Sequence, residues 1–381
     1  MSDAHNLSSR WETLVDEELL SVVPAHWLSF PPPSPEAHMA LAAVYFVLFV
    51  AGFLGNTSLI YLFLTTRALR TSSNLLVFNL ALSDLLMDLE IPLLVYNSLR
   101  QRPALGIWGC RLYGFMGGVS GTSAILSITG LALDRCCVIW HPFCTSPVDT
   151  FSRRSLVLAI TTWIYATVFS VCPLFGLNRY VPEGFLTSCS FDFLSTAPRD
   201  RNFVWAFFVA AWCVPVATIT GSYAAILVAM RRSGQESTCG DNSNNKHRRH
   251  IQRASELRVA RVALLLLGLW MVAWTPYAVV ALLGITGQRR WLTPLGSMLP
   301  AVFCKSAAVL DPFVYGLNSP RFRRELNKRL YCVRCQTLPS GPGEKHHSSD
   351  RASDAVVTAF MQRLSSTKNL CRPPRVACSE V

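Results

Sequence analysis

Seven long apolar stretches constrain this chain more than any other feature of its sequence. The apolar core of a bilayer is about 30 Å thick, and about 20 residues of helix are needed to cross it. The chain is 51% hydrophobic and 15% charged, whereas soluble domains carry about 25% charged residues. The pattern predicts an all-α membrane protein, a seven-transmembrane helix bundle. The stretches lie at about 40–65, 74–98, 108–140, 155–177, 203–230, 257–285 and 292–317.

Basic residues cluster at alternate ends of these stretches. Examples are Arg67 and Arg70 after the first stretch and Arg153 and Arg154 before the fourth. Because cytoplasmic loops are rich in Lys and Arg, this side is predicted to be cytoplasmic, so that residues 1–39 form an extracellular segment. The same clusters account for the net charge of +12, so membrane lipids rather than nucleic acid are the expected partners.

The predicted topology indicates which candidate modification sites lie outside the cell and which lie inside. Asn6-Leu7-Ser8 is a glycosylation acceptor pattern on the extracellular side. Of the 13 cysteines, only Cys110 and Cys189 face the exterior, where disulfides persist, so we expect a bond between them. Cys332 and Cys335 follow a basic segment at the inner membrane face and are candidates for palmitoylation, with two reduced thiols as the alternative.

The residues after the last stretch divide into two parts. Residues 319–330 alternate apolar and basic positions at helical spacing, which predicts a short amphipathic eighth helix in the membrane interface. Residues 331–381 are predicted to form a disordered cytoplasmic tail. The bundle itself is assigned to residues 40–318.

Lys305 stands near the middle of the seventh stretch. A lysine at the centre of a spanning helix costs roughly 2.5–3.5 kcal/mol, and such residues usually face the interior of a bundle. It is followed by Asp311-Pro312-Phe313-Val314-Tyr315, in which a proline interrupts the helix beside a second ionisable group. A lysine in a dry pocket can be held uncharged, paired with a carboxylate in a structural ion pair, or used covalently as the amine of a Schiff base.

Several motifs follow one another in a fixed order along the chain. Together they resemble the rhodopsin-like G-protein-coupled receptors over about residues 40–330. The motifs are Asn56, Leu82-Ser83-Asp84, Asp134-Arg135-Cys136, Trp163, Pro215, Tyr223, Trp274-Thr275-Pro276-Tyr277 and the Asp311–Tyr315 segment.

Within that family, Lys305 resembles the retinal-binding lysine of the opsins. Tyr180-Val181-Pro182-Glu183-Gly184 resembles the outer-loop plug of opsins, and Ser255–Ala260, leading into Trp270 and Trp274, is similar to the invertebrate, rhabdomeric-type opsins. The resemblance implies a light-sensing receptor, not an enzyme, in a plasma or photoreceptor membrane. It implies 11-cis-retinal or a close analogue as chromophore, a Gq-type G protein, arrestin and a receptor kinase as partners, and a role in phototransduction.

A protonated Schiff base on Lys305 requires a counterion, because an unpaired buried charge would lose its proton. Vertebrate visual opsins keep a glutamate where this chain has Tyr113, which leaves Glu183 in opsin-like position. Glu90 stands where some ultraviolet-sensitive opsins place a lysine, and we expect this carboxylate to act as a counterion or to assist Glu183. The alternative is a lipid- or water-facing glutamate.

The resemblance also predicts the wall of a retinal pocket. Glycines leave room for a rigid polyene and aromatic rings pack its sides. Trp274 beside Pro276 is the expected mechanical trigger. The wall is assigned to Tyr113, Gly114, Gly117, Gly118, Gly121, Phe208, Trp212, Trp274 and Tyr277.

A set of polar residues is predicted to form the activation switch. Asp134, Arg135 and Glu256 would form an ion-pair cluster that holds the third and sixth helices together in the closed state. Tyr223 and Tyr315 would form hydrogen bonds in the open state. The remaining members are Asp84, Asp311 and Asn56, as a buried polar network, and the helix-breaking Pro312.

Other classes of function are compatible with parts of the sequence. Amine receptors need an acid where this chain has Gly117, but a receptor for a lipid or sterol-like ligand stays open. A retinal photoisomerase is the alternative from the enzyme class. Channels and transporters are disfavoured, because the sequence has neither inverted repeats nor a pore-lining charge pattern.

Overall fold

A computed structural model describes residues 11, 15, 17–140, 153–236 and 243–337, without the side chains of 231–257, 259 and 330–337. The chain divides into two compact units, Met1–Lys328 and Arg329–Val381, and the second is described only where it ends the last helix. Asn6 and residues 338–381 of the predicted tail lie outside the described residues.

Eight long helices, α1 to α8, form most of the described chain. Seven of them build the bundle expected from the apolar stretches, and α8 follows. Helix α5 consists of Pro198–Phe208, a π-helical turn Val209–Cys213 and Val214–Glu236. The others are α1 Pro35–Thr65, α2 Ser72–Arg100, α3 Gly106–Trp140, α4 Arg153–Val171, α6 Ser243–Ile285, α7 Pro294–Asn318 and α8 Pro320–Thr337.

Shorter elements connect and cover these helices. A two-stranded antiparallel hairpin, β1 (Tyr180–Glu183) and β2 (Ser188–Phe191), lies between α4 and α5. Single helical turns occupy Glu17–Leu20, Ala25–Leu28, Arg67–Leu69, Cys172–Phe175 and Arg289–Trp291.

Side chains define where several helices begin. The Ser34 hydroxyl accepts the Ala37 N–H at the start of α1, and the Thr293 hydroxyl accepts the Gly296 N–H at 3.0 Å at the start of α7. Both caps are followed directly by a proline, whose missing N–H costs nothing in the first turn.

The helix α2 differs from the other six in composition. Six of the bundle helices are both long enough and apolar enough to span a membrane. Helix α2 has 29 residues, but its composition is less apolar. Its middle carries Asp84, Asp88 and Glu90, which are 1%, 0% and 2% exposed. Because buried carboxyl groups need partners inside the bundle, α2 is a spanning helix specialised for polar contacts.

Several helices extend further than the sequence predicted, α6 and α8 among them. Helix α6 begins at Ser243 rather than at 257, and α8 runs to Thr337 rather than ending at 330. The assignment of residues 331–337 to a disordered tail was therefore wrong. These residues contain neither glycine nor proline, so nothing in them terminates the helix. Cys332 and Cys335 lie in α8, but their side chains are outside the described part.

The predicted disulfide is confirmed. Cys110 near the start of α3 is bonded to Cys189 in β2, with 5.3 Å between the Cα atoms. The bond fixes the hairpin against α3, and the hairpin residues from Tyr180 to Ser190 are all buried. We call this the disulfide end of the bundle.

The segment before α1 belongs to the hydrophobic core, which the sequence analysis did not anticipate. Trp11, Val15, Leu19 and Trp27 are at most 4% exposed and join the core cluster that contains Leu186 of the hairpin. Together with Val23, which is 7% exposed, these residues recur at four-residue spacings, and this periodicity in the sequence could have indicated their burial. The segment is anchored by further hydrogen bonds: the Trp11 indole donates to the Phe30 carbonyl at 3.0 Å, and the His26 ring bonds the Leu292 carbonyl at 2.9 Å.

Candidate functional site

A cavity lies between the helices, beneath the β-hairpin. Its volume is about 150 Å³. Every residue predicted for the pocket lines it, including Lys305, Glu90 and Glu183. The lining also contains residues that the sequence analysis did not assign, among them Met87, Thr122, Tyr180, Ser190, Phe207, Trp270 and Cys304.

Lys305 is held at the cavity wall by one carboxylate and one ring. Its Nζ atom lies 3.1 Å from Oε1 of Glu90, and the two side chains are 7% and 1% exposed. The same Nζ atom lies 5.0 Å from the centroid of the Tyr113 ring, within cation–π range. A lipid- or water-facing position for Glu90 is therefore wrong. No donor in the described part reaches the buried Glu90 Oε2.

Glu183 occupies a different part of the cavity wall, on the hairpin. Its carboxylate accepts hydrogen bonds from the Ser190 hydroxyl at 3.0 Å and from the Tyr277 hydroxyl at 3.2 Å. Burial raises the pKa of Glu183 to about 7, although the bonds from Ser190 and Tyr277 and the nearby charge of Lys305 act in the opposite direction. Glu183 is thus only partly ionised at neutral pH.

The protonation of Glu183 predicts a pH dependence of stability. Because the folded pKa of about 7 exceeds the ordinary value of 4.5, its stabilising contribution is complete below pH 4.5 and is lost as the pH rises through 7. The loss is on the order of 3 kcal/mol. We expect thermal unfolding of Glu183→Gln, followed between pH 4 and about 8, to show a decline in stability that is smaller by this contribution. Glu36→Gln, an exposed carboxyl, should retain it. An unchanged decline in Glu183→Gln would assign it to other groups.

Glycines on α3 let other side chains approach that helix. A Cβ atom on Gly121 would overlap the Trp274 ring, and one on Gly114 would overlap the Tyr180 ring. A Cβ on Gly117 would lie 3.2 Å from Glu90 Oε2. The absence of side chains at these positions therefore shapes the cavity on the side of α3.

Stacked aromatic pairs form the side of the cavity near α5 and α6. Trp270 and Trp274 have ring centroids 5.8 Å apart, and Phe208 and Trp212 stack at 5.5 Å. Trp212 lies in the π-helical turn of α5. Pro215 lacks the N–H that would bond the Ala211 carbonyl, which favours an irregular turn at this point, and such turns are frequent at functional sites.

The buried polar network is arranged differently from the prediction. The Asn56 amide donates to Asp88 Oδ2 at 2.9 Å and to the Ala308 carbonyl at 3.1 Å, and not to Asp84. The carboxyl groups of Asp84 and Asp311 interact with each other. The sequence places Asp84 and Asp88 on the same helix, α2, but it does not determine which of them contacts Asn56 of α1.

The opposite end of the bundle carries the predicted switch residues. Asp134 pairs with Arg135 and also with Arg154 of α4, at 2.9 Å from Arg154 Nη2 to Asp134 Oδ1. The side chain of Glu256 lies outside the described residues.

The two tyrosines of the predicted switch lie on different helices. The Tyr223 hydroxyl donates to the Ala260 carbonyl of α6, and the Tyr315 hydroxyl donates to Asn74 Oδ1 at 3.0 Å. The contact of Asp134 with Arg154 and these two tyrosine bonds were not predicted.

A second polar cluster joins α2, α3 and α4. The Asn79 amide donates to Ser127 at 2.8 Å and to Thr162 at 3.0 Å, and the Trp163 indole donates to Asn79 Oδ1 at 2.8 Å. The sequence singled out Trp163 but not its partner. The indole N–H of a tryptophan in a spanning helix needs an acceptor, so the sequence could have indicated that Trp163 has a polar partner.

Comparisons with known proteins agree with this geometry. Residues 55–315 match the 7 transmembrane receptor (rhodopsin family). The crystal structure of squid rhodopsin superposes with a TM-score of 0.76 at 27% identity, covering 84% of this chain and 93% of that one. A blue-sensitive opsin of Apis mellifera is 36% identical over 83% of this chain and 84% of its own length. The chain belongs to the opsins of the rhodopsin family.

Among opsins, the chain is of the invertebrate, rhabdomeric type, as its sequence predicted. A GQ-coupled rhodopsin of Mizuhopecten yessoensis is 36% identical over 82% of this chain and 64% of its own length. The seven-helix opsin fold is thereby confirmed, and the protein is a multi-pass membrane receptor.

Proposed function

We propose that this opsin is a light-sensing receptor that carries retinal on Lys305 and activates a Gq-type G protein. The main support for this proposal is the buried amine of Lys305, which lies at the wall of an apolar, aromatic-lined cavity and is paired with Glu90 at 3.1 Å. Retinal, bound as a protonated Schiff base in its 11-cis form or as a close analogue, supplies light absorption and a change of shape.

The residues of the cavity fit that group. Lys305 provides the only buried amine among the described residues of the cavity wall, and the unpaired Glu90 Oε2 can accept a further hydrogen bond. Glu90 neutralises the charge on Nζ, and Tyr113 offers its ring face to the same atom. We assign Glu90 as the principal counterion, and Glu183, partly protonated and bound by Tyr277, as a secondary one.

Trp274 transmits the change of shape to α6. Its ring fills the space over Gly121, and Pro276 interrupts the hydrogen-bond ladder two residues later, so a push on the ring bends the helix there. At the opposite end, movement of α6 would break the Tyr223 bond to Ala260 and open the region around Arg135 to a G protein.

The cellular setting follows from the same proposal. The basic loops support an orientation with the disulfide end outside the cell, in a plasma or photoreceptor membrane. The proposal includes palmitoylation at Cys332 and Cys335 and glycosylation at Asn6. The Gq assignment is supported by the similarity to the rhodopsin of Mizuhopecten yessoensis, whose name records that coupling. Arrestin and a receptor kinase are the proposed partners that end the signal.

Reconstitution tests the function directly. The purified protein is incubated with 11-cis-retinal in darkness, and absorption spectra are taken before and after illumination. Nucleotide exchange on purified Gq and Gi is then measured in the same samples. We expect a visible band, a light-induced spectral change and faster exchange on Gq. Colour without exchange on either G protein would favour a photoisomerase, and exchange driven by a lipid in darkness would favour a chemically activated receptor.

A further inference from the structure

Asp88 is a buried carboxyl group that the proposed mechanism does not use. It lies on α2 two residues before Glu90, and it is 0% exposed. Two residues correspond to about half a turn of helix, so the two carboxyls point to different sides of α2. Glu90 faces Lys305 and Gly117, whereas Asp88 faces α1, where a Cβ atom on Gly52 would overlap its carboxyl group.

The partner of Asp88 is the amide of Asn56, which also holds α7. Asn56 Nδ2 donates to Asp88 Oδ2 at 2.9 Å and to the Ala308 carbonyl at 3.1 Å. In a regular helix that carbonyl would accept the N–H four residues later, but this residue is Pro312, which has none. Asn56 therefore satisfies the carbonyl that Pro312 leaves free, one turn beyond Lys305.

Two oxygen atoms of this arrangement are left without a donor. Asp88 Oδ1 and Asn56 Oδ1 are both buried, and no donor among the described residues reaches either of them. When Asp88 is ionised, both atoms are acceptors. A proton on Asp88 makes its carboxyl group a donor, and the two planar groups are already joined by the 2.9 Å bond from Asn56 Nδ2 to Asp88 Oδ2. One proton would then satisfy both oxygens as an acid–amide pair.

The surrounding charges favour the same protonated form. Asn56 and Gly52 of α1 are uncharged, and the charges near Asp88 are the carboxyls of Asp84 and Glu90 on its own helix and the amine of Lys305 on α7. Lys305 is already paired with Glu90 at 3.1 Å. A second anion beside that pair would be buried without a cation of its own.

We propose that Asp88 is a proton-binding site, neutral in the dark receptor, and that its acid–amide pair with Asn56 positions the turn of α7 that carries Lys305. It is a positioning residue, since it reaches Lys305 through Asn56 and Ala308. Its light-dependent part rests on the proposed function. We expect illumination to bend α7 at Pro312 and to weaken the Asn56 bond to Ala308, which changes the environment of the Asp88 proton.

The first test uses the apoprotein and no retinal. Infrared spectra of wild type, Asp88→Asn and Glu90→Gln are recorded in water and in deuterium oxide. We expect the protonated carboxyl absorption, shifted by deuteration, to be equally strong in wild type and Glu90→Gln and to lose the contribution of one carboxyl group in Asp88→Asn. If Asp88→Asn instead lacks an ionised carboxylate band, or changes neither region, the proposal is overturned.

The second test compares the two replacements of Asp88. Asparagine offers Asn56 both a donor and an acceptor, whereas leucine of similar size offers neither. We expect the unfolding midpoint of Asp88→Asn to stay within about 2 °C of wild type and that of Asp88→Leu to fall by several degrees. Equal midpoints in the two variants would contradict the acid–amide pair.

The third test uses the reconstituted pigment. Illumination should shift the Asp88 carboxyl band in wild type, and the shift should vanish in Asp88→Asn. A protein that forms no pigment but shows the Asp88 band contradicts the proposed function and retains the proton site. A pigment that forms and signals without that band contradicts the proton site alone.

Discussion

Replacing Lys305 by alanine is expected to abolish the pigment completely. The Nζ atom is the amine at the cavity wall, so without it no covalent bond to an aldehyde forms there. After incubation with 11-cis-retinal, Lys305→Ala should show no visible band and no light-dependent nucleotide exchange. In the wild type, reduction with borohydride followed by peptide mass spectrometry should locate the retinyl group on Lys305.

The control must separate loss of the amine from loss of the fold. Lys305→Ala leaves Glu90 buried without its cation, which costs roughly 3–5 kcal/mol for a broken buried pair. The double variant Lys305→Ala with Glu90→Gln removes both charges, so its unfolding midpoint should return toward that of wild type while the protein stays colourless. A visible pigment in either variant would refute Lys305 as the attachment site.

Replacing Glu90 by glutamine is expected to move the absorption from the visible to the ultraviolet at neutral pH. The amide keeps the shape of the side chain but carries no charge, so a protonated Schiff base on Lys305 loses its closest anion. Loss of one partner of a buried pair costs roughly 3–5 kcal/mol, which lowers the affinity for the proton by about a hundredfold or more. Absorption spectra recorded from acid to alkaline pH measure that change.

Glu90→Asp is the matched variant, since it shortens the side chain but keeps the charge. It should retain a visible band at neutral pH and lose it at a lower pH than the wild type. If Glu90→Gln instead has the wild-type spectrum throughout this range, Glu90 is not the counterion, and Glu183 would take that role.

The sequence was sufficient to predict the bundle and the wall of the cavity. Apolar length predicted the helices, and the ordered motifs predicted which residues face inward, so that Gly121 and Trp274 were assigned to one cavity wall. The disulfide between Cys110 and Cys189 followed from topology, because few cysteines face an oxidising compartment. These features depend on the local periodicity of apolar residues and on the requirement that every helix of the bundle crosses the same membrane.

Contacts that depend on side-chain geometry were not predictable in this way. Asn56 was expected beside Asp84, but α1 meets α2 at Asp88, because Gly52 lets the helices approach there. The contact of Asp134 with Arg154 depends likewise on the position of α4, and no sequence motif predicts that position. Helix α8 was predicted to end where the alternation of apolar and basic residues ends, at residue 330. It continues to Thr337, shortly before the next proline in the sequence.

The buried segment before α1 has a consequence for how a ligand reaches Lys305. Trp11, Leu19 and Trp27 pack into the same core as the hairpin residues Phe185 and Leu186, so the route from the aqueous side at the disulfide end passes through packed side chains. A hydrophobic aldehyde would instead enter and leave sideways, between helices, from the lipid. Exchange of the chromophore should therefore depend on the surrounding bilayer, and water-soluble peptides or amines are poor candidates for occupants of this cavity.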